Sequence, residues 1–183
     1  MAARVLTIRD DAQAGSEQRA GVPRRHGLPP VLSSDTRVLI LGSFPSEASL
    51  AAAQYYAHPR NHFWPILAAV LAEPLVAMPY AKRLATLKNH RVGVWDTIVA
   101  CERAGSLDAA IRNALRGDVA VVRRRAPMVR LVCFNGQTAA RARSCWDAAG
   151  YATLALPSTS PAYTRPLSEK LKAWQAIANI LRA

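Results

Sequence analysis

Short apolar runs of strand length, each followed by a helical pattern, constrain this chain more than any other feature. After Asp35 the run Thr36 to Gly42 holds four large aliphatic residues in succession, Val38, Leu39, Ile40 and Leu41. Such a run is shorter than a globular helix and lacks the alternation of a half-exposed strand, so it suits a strand buried on both faces of a parallel sheet. RVGVW at 91–95 and VRLVCFN at 129–135 repeat the pattern, and YATLALP at 151–157 is a shorter, weaker version. Between and after them lie helical patterns: HFWPILAAVLA (62–72), YAKRLATLKNH (80–90), GQTAARARSCWDAAG (136–150) and the C-terminal LSEKLKAWQAIANILRA. In the last, Leu167, Leu171, Trp174, Ala178 and Leu181 fall at i, i+4, i+7, i+11 and i+14 and form one apolar stripe. Alternating strands and helices predict βα units and a parallel sheet covered by helices, with no internal repeat.

Residues 1–30 lack this periodicity. They are polar and charged, then rich in Gly and Pro (AGVPRRHGLPP), and read as a flexible basic N-terminal extension ahead of one folded domain at 31–183. The 183 residues carry 24 Lys plus Arg against 12 Asp plus Glu, a net charge of +12, yet 51% of them are hydrophobic. That composition excludes an acidic protein and a disordered basic tail; the charge suits a polyanionic partner, although an Arg- and Ala-rich chain can carry it with no nucleic-acid role. No stretch approaches a membrane span, and the first residues, MAARVLTIRDDAQAGSEQ, hold no apolar run of signal-peptide length. Cys101, Cys133 and Cys145 are odd in number and scattered, which excludes a disulfide framework and a CxxC pair and suggests a reduced, cytoplasmic setting. His58 and His62 have an H-x3-H spacing, but Pro59 between them disfavours the helical turn that zinc would need there. Neither a metal nor a cofactor is expected.

In a parallel α/β sheet the binding crevice lies beyond the carboxyl ends of the strands. The first run is followed there by Gly42-Ser43-Phe44-Pro45-Ser46 and then by Tyr55-Tyr56-Ala57-His58-Pro59-Arg60-Asn61-His62-Phe63-Trp64. The third ends on Asn135-Gly136, and the fourth leads into Pro157-Ser158-Thr159-Ser160-Pro161-Ala162-Tyr163-Thr164-Arg165. Neither GxxxxGK[ST] nor GxGxxG is present, so these loops hold no triphosphate cradle. Aromatic faces and amide edges are instead suited to gripping a flat, polar heterocycle.

GSFPS, YYAHPRNHFWPIL, LVCFNG and LPSTSPAYTRPLSEKLKAW, in this order and in register with the strands, resemble the ordered motifs of the uracil-DNA glycosylase superfamily. The likeness is greatest to its hypoxanthine-DNA glycosylase and mismatch-specific branches and spans about residues 36–183. It implies an α/β fold, a three-layer α/β/α sandwich with a short, mainly parallel four-stranded central sheet, in agreement with the periodicity. The implied activity is hydrolysis of deaminated bases (uracil, hypoxanthine or xanthine) from DNA by a monomer that leaves an abasic site, in a cytoplasmic, nucleoid-associated setting.

The resemblance also implies residue roles. The mismatch-specific branch has an Asn at the third position of the first motif, where this chain has Phe44, which cannot orient water by hydrogen bonding. Asn61 of HPRN then becomes the catalytic amide, although an Asn ahead of an apolar helix is also a favoured N-cap. Asn135 is expected to read the edge of the base, with a strand-to-helix turn residue as its structural alternative. Tyr56 is expected to stack on the base, with Tyr55 as competitor. Gly42, Ser43, Phe44, Ser158 and Ser160 complete the substrate-binding set, and some families carry a His at the position of Ser158. Ala162 or Tyr163 would wedge into the duplex, while Arg60 and Arg165 would contact DNA. The run Arg123-Arg124-Arg125 lies away from the expected cleft and reads as a solvated helix face. No Lys falls in the motifs, which predicts a monofunctional enzyme without a Schiff-base step. The iron–sulfur branches need four Cys ligands that three scattered Cys do not supply. Two other readings remain open: a non-enzymatic DNA-binding module on the same fold, and a hydrolase of free nucleosides.

Overall fold

The computed structural model describes residues 22–182, and side chains as far as Leu181. Seven strands are present among these residues: β1 (Arg24–His26), β2 (Val38–Gly42), β3 (Val92–Asp96), β4 (Ile98–Glu102), β5 (Arg112–Arg116), β6 (Leu131–Asn135) and β7 (Ala152–Leu156). The helices are α1 (Glu47–Ala52), α2 (Phe63–Leu71), α3 (Tyr80–Asn89), α4 (Val119–Arg125), α5 (Gln137–Ala140), α6 (Arg143–Ala148) and α7 (Leu167–Arg182), with short 3₁₀ turns at Leu75–Ala77 and Asp108–Ala110.

The central sheet is four-stranded, ordered β3-β2-β6-β7 and parallel throughout. Its apolar runs supply both faces. Val38, Ile40, Val92, Val94, Leu131 and Cys133 join Phe63, Leu67, Leu87, Trp174 and Ile177 beneath α2, α3 and α7. Leu39, Leu41, Trp95, Val132 and Phe134 join Val122, Ala139 and Trp146 beneath α4, α5 and α6. The period-2 alternation of a strand is thus hidden inside a continuous apolar run, because both sides are covered. The result is the three-layer sandwich expected from the sequence. Among the described residues no helix is long and apolar enough to cross a membrane.

Three features depart from the sequence reading. The segment 136–150 is two helices, separated where Arg141 N–H and Ala142 N–H reach back only three residues, to Thr138 and Ala139. The apolar stripe of α7 meets the core at Leu171, Trp174, Ala178 and Leu181, but Leu167 is exposed and Ile177 joins the buried face. Residues 22–30, assigned from sequence to the extension, belong to the fold, whereas residues 1–21 lie outside the described residues. β1 pairs antiparallel with β4, Gly27 N–H donates to Val99 C=O at 2.8 Å, and Arg25 meets Glu47 at 2.5 Å. β4 also pairs antiparallel with β5, giving a second sheet ordered β1-β4-β5 at the mouth of the first. β5 is exposed at every position, so no apolar pattern marks it.

Trp174 ties α7 to the site. It is fully buried, and its indole N–H donates to the Pro157 carbonyl at 3.0 Å, at the start of the last loop. Trp174→Ala is expected to cost about 3–5 kcal/mol through lost burial and a cavity, read as a lower denaturation midpoint.

Candidate active site

The loops beyond β2, β6 and β7, the end of β3 and the second sheet enclose a cavity of about 270 Å³. Of the residues singled out from sequence, Gly42, Ser43, Phe44, Tyr56, Asn61, Asn135, Ser158, Ser160, Ala162 and Tyr163 line it. Arg60 and Arg165 do not line it and are exposed, Arg165 in an ion pair with Glu169 at 3.3 Å. Arg123, Arg124 and Arg125 are exposed on the last turn of α4.

The first loop is held at both ends. The Ser46 hydroxyl caps α1 by accepting from Ser49 N–H at 3.2 Å. Ser43 Oγ donates to the Asp108 carboxylate, 2.8 and 2.9 Å from its oxygens. Phe44 is buried in the wall, with the Arg103 guanidinium 4.8 Å from its ring centroid and bonded to the Pro45 carbonyl.

Tyr56 has φ +55°, a left-handed conformation uncommon for a bulky residue, and stacks on Phe63 with centroids 3.7 Å apart. That contact anchors its ring to α2. Tyr55 also lines the cavity, but its hydroxyl donates to the Leu28 carbonyl at 3.1 Å and its ring packs in the core. Asn61 stands one residue before His62, the N-cap of α2, and still bonds the helix start. Its Oδ1 accepts from Phe63 N–H at 3.0 Å, leaving Nδ2 and the second lone pair of Oδ1 for other partners. HPRN itself is a turn, and the helix begins only at Phe63.

Asn135 is bonded through both heteroatoms of its amide. Oδ1 accepts from Thr159 N–H and Nδ2 donates to Thr159 Oγ1, both at 2.9 Å. As placed, it fastens the last loop to β6. Gly136 follows with φ +95°, and a Cβ there would lie 2.8 Å from Ser158 Cβ, so this approach of loop to strand requires glycine. Ser158 and Ser160 hydroxyls accept backbone N–H groups two residues on, shaping the same loop. Lys170, buried in α7, donates to the Tyr163 carbonyl at 2.6 Å, which holds the rim.

Sequence reasoning missed Asp96, Asp108 and Thr159. Asp96 is the last residue of β3, and the strand-end rule applied to RVGVW leads directly to it. Asp108 sits in a 3₁₀ turn that no periodicity signals. The Asp96 carboxyl is 95% buried by residue (5% exposed), and its Oδ2 has no hydrogen-bond partner among the described residues. The Tyr56 hydroxyl is likewise buried and makes no hydrogen bond of normal geometry among the described residues, although the Asn135 amide lies near enough to act on it. Burial pushes the Asp96 carboxyl up to about 8; the negative charge of Asp108 adds to the rise and Arg103 opposes it. Burial also raises the Tyr56 hydroxyl, reinforced by Asp96, with the Asn135 amide working the other way.

The raised carboxyl has a stability consequence. The folded state keeps a proton on Asp96 that the unfolded chain releases from about pH 4 upward, so this contribution is lost as pH rises toward 8. Asp96→Asn has no such proton to lose. Its stability relative to the parent is expected to increase steadily from pH 5 to pH 8 in denaturant titrations.

Among the described residues no three His, Cys, Asp or Glu side chains are grouped to hold a metal ion. A parallel sheet whose carboxyl ends gather aromatic side chains, two amides and an acid with an unpartnered oxygen around one cavity defines an α/β protein with a polar, aromatic-walled cavity at its strand ends.

The model of the uracil DNA glycosylase superfamily matches residues 29–182, and the chain belongs to that superfamily. It is 39% identical over 153 residues to a Methanosarcina acetivorans protein named hypoxanthine DNA glycosylase, covering 84% of this chain and 97% of the relative. A Methanosarcina barkeri protein of the same name is 36% identical over 151 residues, covering 82% and 96%. A solution NMR structure of an M. acetivorans protein, described as a candidate uracil DNA glycosylase, superposes with a TM-score of 0.80 at 37% identity, covering 88% of this chain and 100% of that one.

Proposed function

We propose that the protein is a monomeric DNA glycosylase that extrudes a deaminated base, hypoxanthine foremost, and hydrolyses its N-glycosidic bond. The observation that carries this reading is the pair of buried, unpartnered polar groups, Asp96 Oδ2 and the Tyr56 hydroxyl, in a cavity beside Asn61 and Phe44. A buried polar group without a partner is costly, and a heterocycle with carbonyl and ring-nitrogen edges would supply one. The names of the two Methanosarcina relatives favour hypoxanthine over uracil and xanthine.

Bond cleavage builds positive charge on the sugar and negative charge on the departing base. In this reading Asn61 orients water at the anomeric carbon through the Oδ1 lone pair not used by Phe63 N–H. Ser158 and Ser160 shape the loop that receives the flanking backbone, and Tyr163 fills the vacated stack. No lysine is among the residues lining the cavity, in keeping with a monofunctional reaction. The test is base release from oligonucleotides carrying deoxyinosine, deoxyuridine or deoxyxanthosine, single- and double-stranded, beside free deoxyinosine. Abasic product from deoxyinosine DNA is expected, and Asn61→Ala should remove it while Phe44→Ala leaves part. DNA binding without product would favour a non-enzymatic module, and cleavage of the free nucleoside alone a nucleoside hydrolase.

Arg60 and Arg165 stand exposed on the two loops that meet at the rim. Arg60→Gln and Arg165→Gln are each expected to flatten the plot of log affinity against log salt by about 0.9 on duplex DNA, one phosphate contact apiece. Unchanged slopes would place the phosphates elsewhere.

A further inference from the structure

We infer that Asp96 is the general acid of the reaction: standing across Gly42 from the Tyr56 hydroxyl, with Oδ2 buried and unpartnered, its carboxyl donates a proton to the purine as the glycosidic bond breaks. This rests on the glycosylase reading above.

The other polar groups of the cavity are each already bonded, at least in part, to the protein. The Asp108 carboxylate accepts from Ser43, Asn135 is bonded to Thr159 through both amide atoms, and Asn61 Oδ1 accepts from Phe63 N–H. Among the cavity's acids, Asp96 alone has no hydrogen bond to the described residues. It also faces its partner group closely. Gly42 and Asp96 are register neighbours on β2 and β3, and a Cβ on Gly42 would collide with Asp96 Oδ1 and lie 3.2 Å from the Tyr56 hydroxyl. Carboxyl and phenol therefore converge over one glycine, at the end of the two strands where a base edge would rest.

The chemistry calls for such a donor. When the C1′–N9 bond breaks, its electron pair goes to the purine. Proton transfer from Asp96 to a ring nitrogen, N7 for hypoxanthine, lets the base leave neutral rather than as an anion. Water adds its oxygen to C1′ and gives up one proton to solvent, and the Asp96 carboxylate regains one, so the cycle closes with no other reactant. Uracil depends less on this step because its anion is spread over two carbonyl groups. A general acid works best when its affinity for the proton lies near the working pH. Burial and the Asp108 charge hold Asp96 in its acid form at neutral pH. The charged and titratable groups around it are Asp108 from the 3₁₀ turn, Arg103 after β4, and Tyr55 and Tyr56 from the loop after α1.

The experiment measures single-turnover release from duplex deoxyinosine and deoxyuridine DNA, and from duplex 7-deaza-deoxyinosine DNA, which has no N7 to protonate. Asp96→Asn keeps the shape and a donor N–H but transfers no proton. It should slow hypoxanthine release about 100-fold at neutral pH and retain affinity for deoxyinosine DNA. Wild-type release should fall as pH rises through about 8, and the variant's should be flat there. Wild-type and variant should cleave the 7-deaza substrate at the same slow rate. The wild-type pH profile and its 7-deaza arm need no variant and decide the matter should Asp96→Asn fold poorly. Undiminished release by Asp96→Asn, the parent's pH profile retained in that variant, or full wild-type cleavage of the 7-deaza substrate overturns the inference alone. A wild-type protein that releases no base from any substrate overturns the glycosylase reading and this inference with it.

Discussion

Asn135→Ala is expected to lower stability by about 2–6 kcal/mol and single-turnover excision by about 100-fold. The first figure follows from two hydrogen bonds to a threonine that is fully buried: removing the amide strands Thr159 N–H and Oγ1, at roughly 1–3 kcal/mol for each unsatisfied group. The second follows from what Thr159 holds. Its carbonyl accepts from His62 N–H at 3.0 Å, so β6, the last loop and the HPRN turn are linked in series, with Asn61 one residue from the final bond. A shift of an ångström in a group that positions water costs on the order of 100-fold. Thermal melts and excision kinetics of the same sample separate this role from direct reading of the base. A variant that melts like the parent yet has lost activity would return Asn135 to the base edge and remove it from the fastening.

That contrast shows where the sequence was readable. The four core strands were marked by apolar runs because they are covered on both faces, and α7 by its stripe, so the layer order followed from periodicity. Most of the cavity lining followed as well, since the strand-end rule names the residues after β2, β6 and β7. The same rule names Asp96, but a lone Asp after a strand reads as an ordinary turn residue. Only its burial without a partner sets it apart. The second sheet left no mark of its own. β5 is exposed at all positions, β1 is three residues long, and the pairing of β4 and β5 is irregular, so their apolar and polar residues follow no regular period. Asp108 and Ser106 reach the cavity only through that sheet's loop, far in sequence from Ser43 and Glu47, whose side chain and backbone N–H respectively they receive. Local pattern cannot pair such residues; tertiary packing does.

The orientation of the amides was hidden for a related reason. Asn61 and Asn135 each have four hydrogen-bonding positions, and sequence says nothing of how they are divided between protein and substrate. The structure assigns one acceptor of Asn61 to α2 and one donor and one acceptor of Asn135 to Thr159. If the cavity holds a base, Asp96 and Tyr56 are its buried groups without a geometric partner, while each asparagine is already partly bonded.

Gly42→Ala tests that division most severely, with an expected loss of excision of roughly 10³-fold, larger than for Asp96→Asn. The backbone at Gly42 needs no left-handed conformation, so the added methyl acts through space alone. It would collide with Asp96 Oδ1 and press on the Tyr56 hydroxyl, displacing both unpartnered groups and shrinking the cavity floor. Overpacking of this kind costs about 1–3 kcal/mol of stability, which the folded core can absorb while the site does not. Affinity for undamaged duplex should stay at the parental level, because Arg60 and Arg165 lie outside the cavity. Groups that act through a shared contact do not add. The double variant Gly42→Ala, Asp96→Asn should therefore excise hypoxanthine no more slowly than Gly42→Ala alone. Full additivity of the two losses would mean that the glycine and the acid serve different steps, and that Gly42 matters for the room it leaves a base rather than for the carboxyl it accommodates.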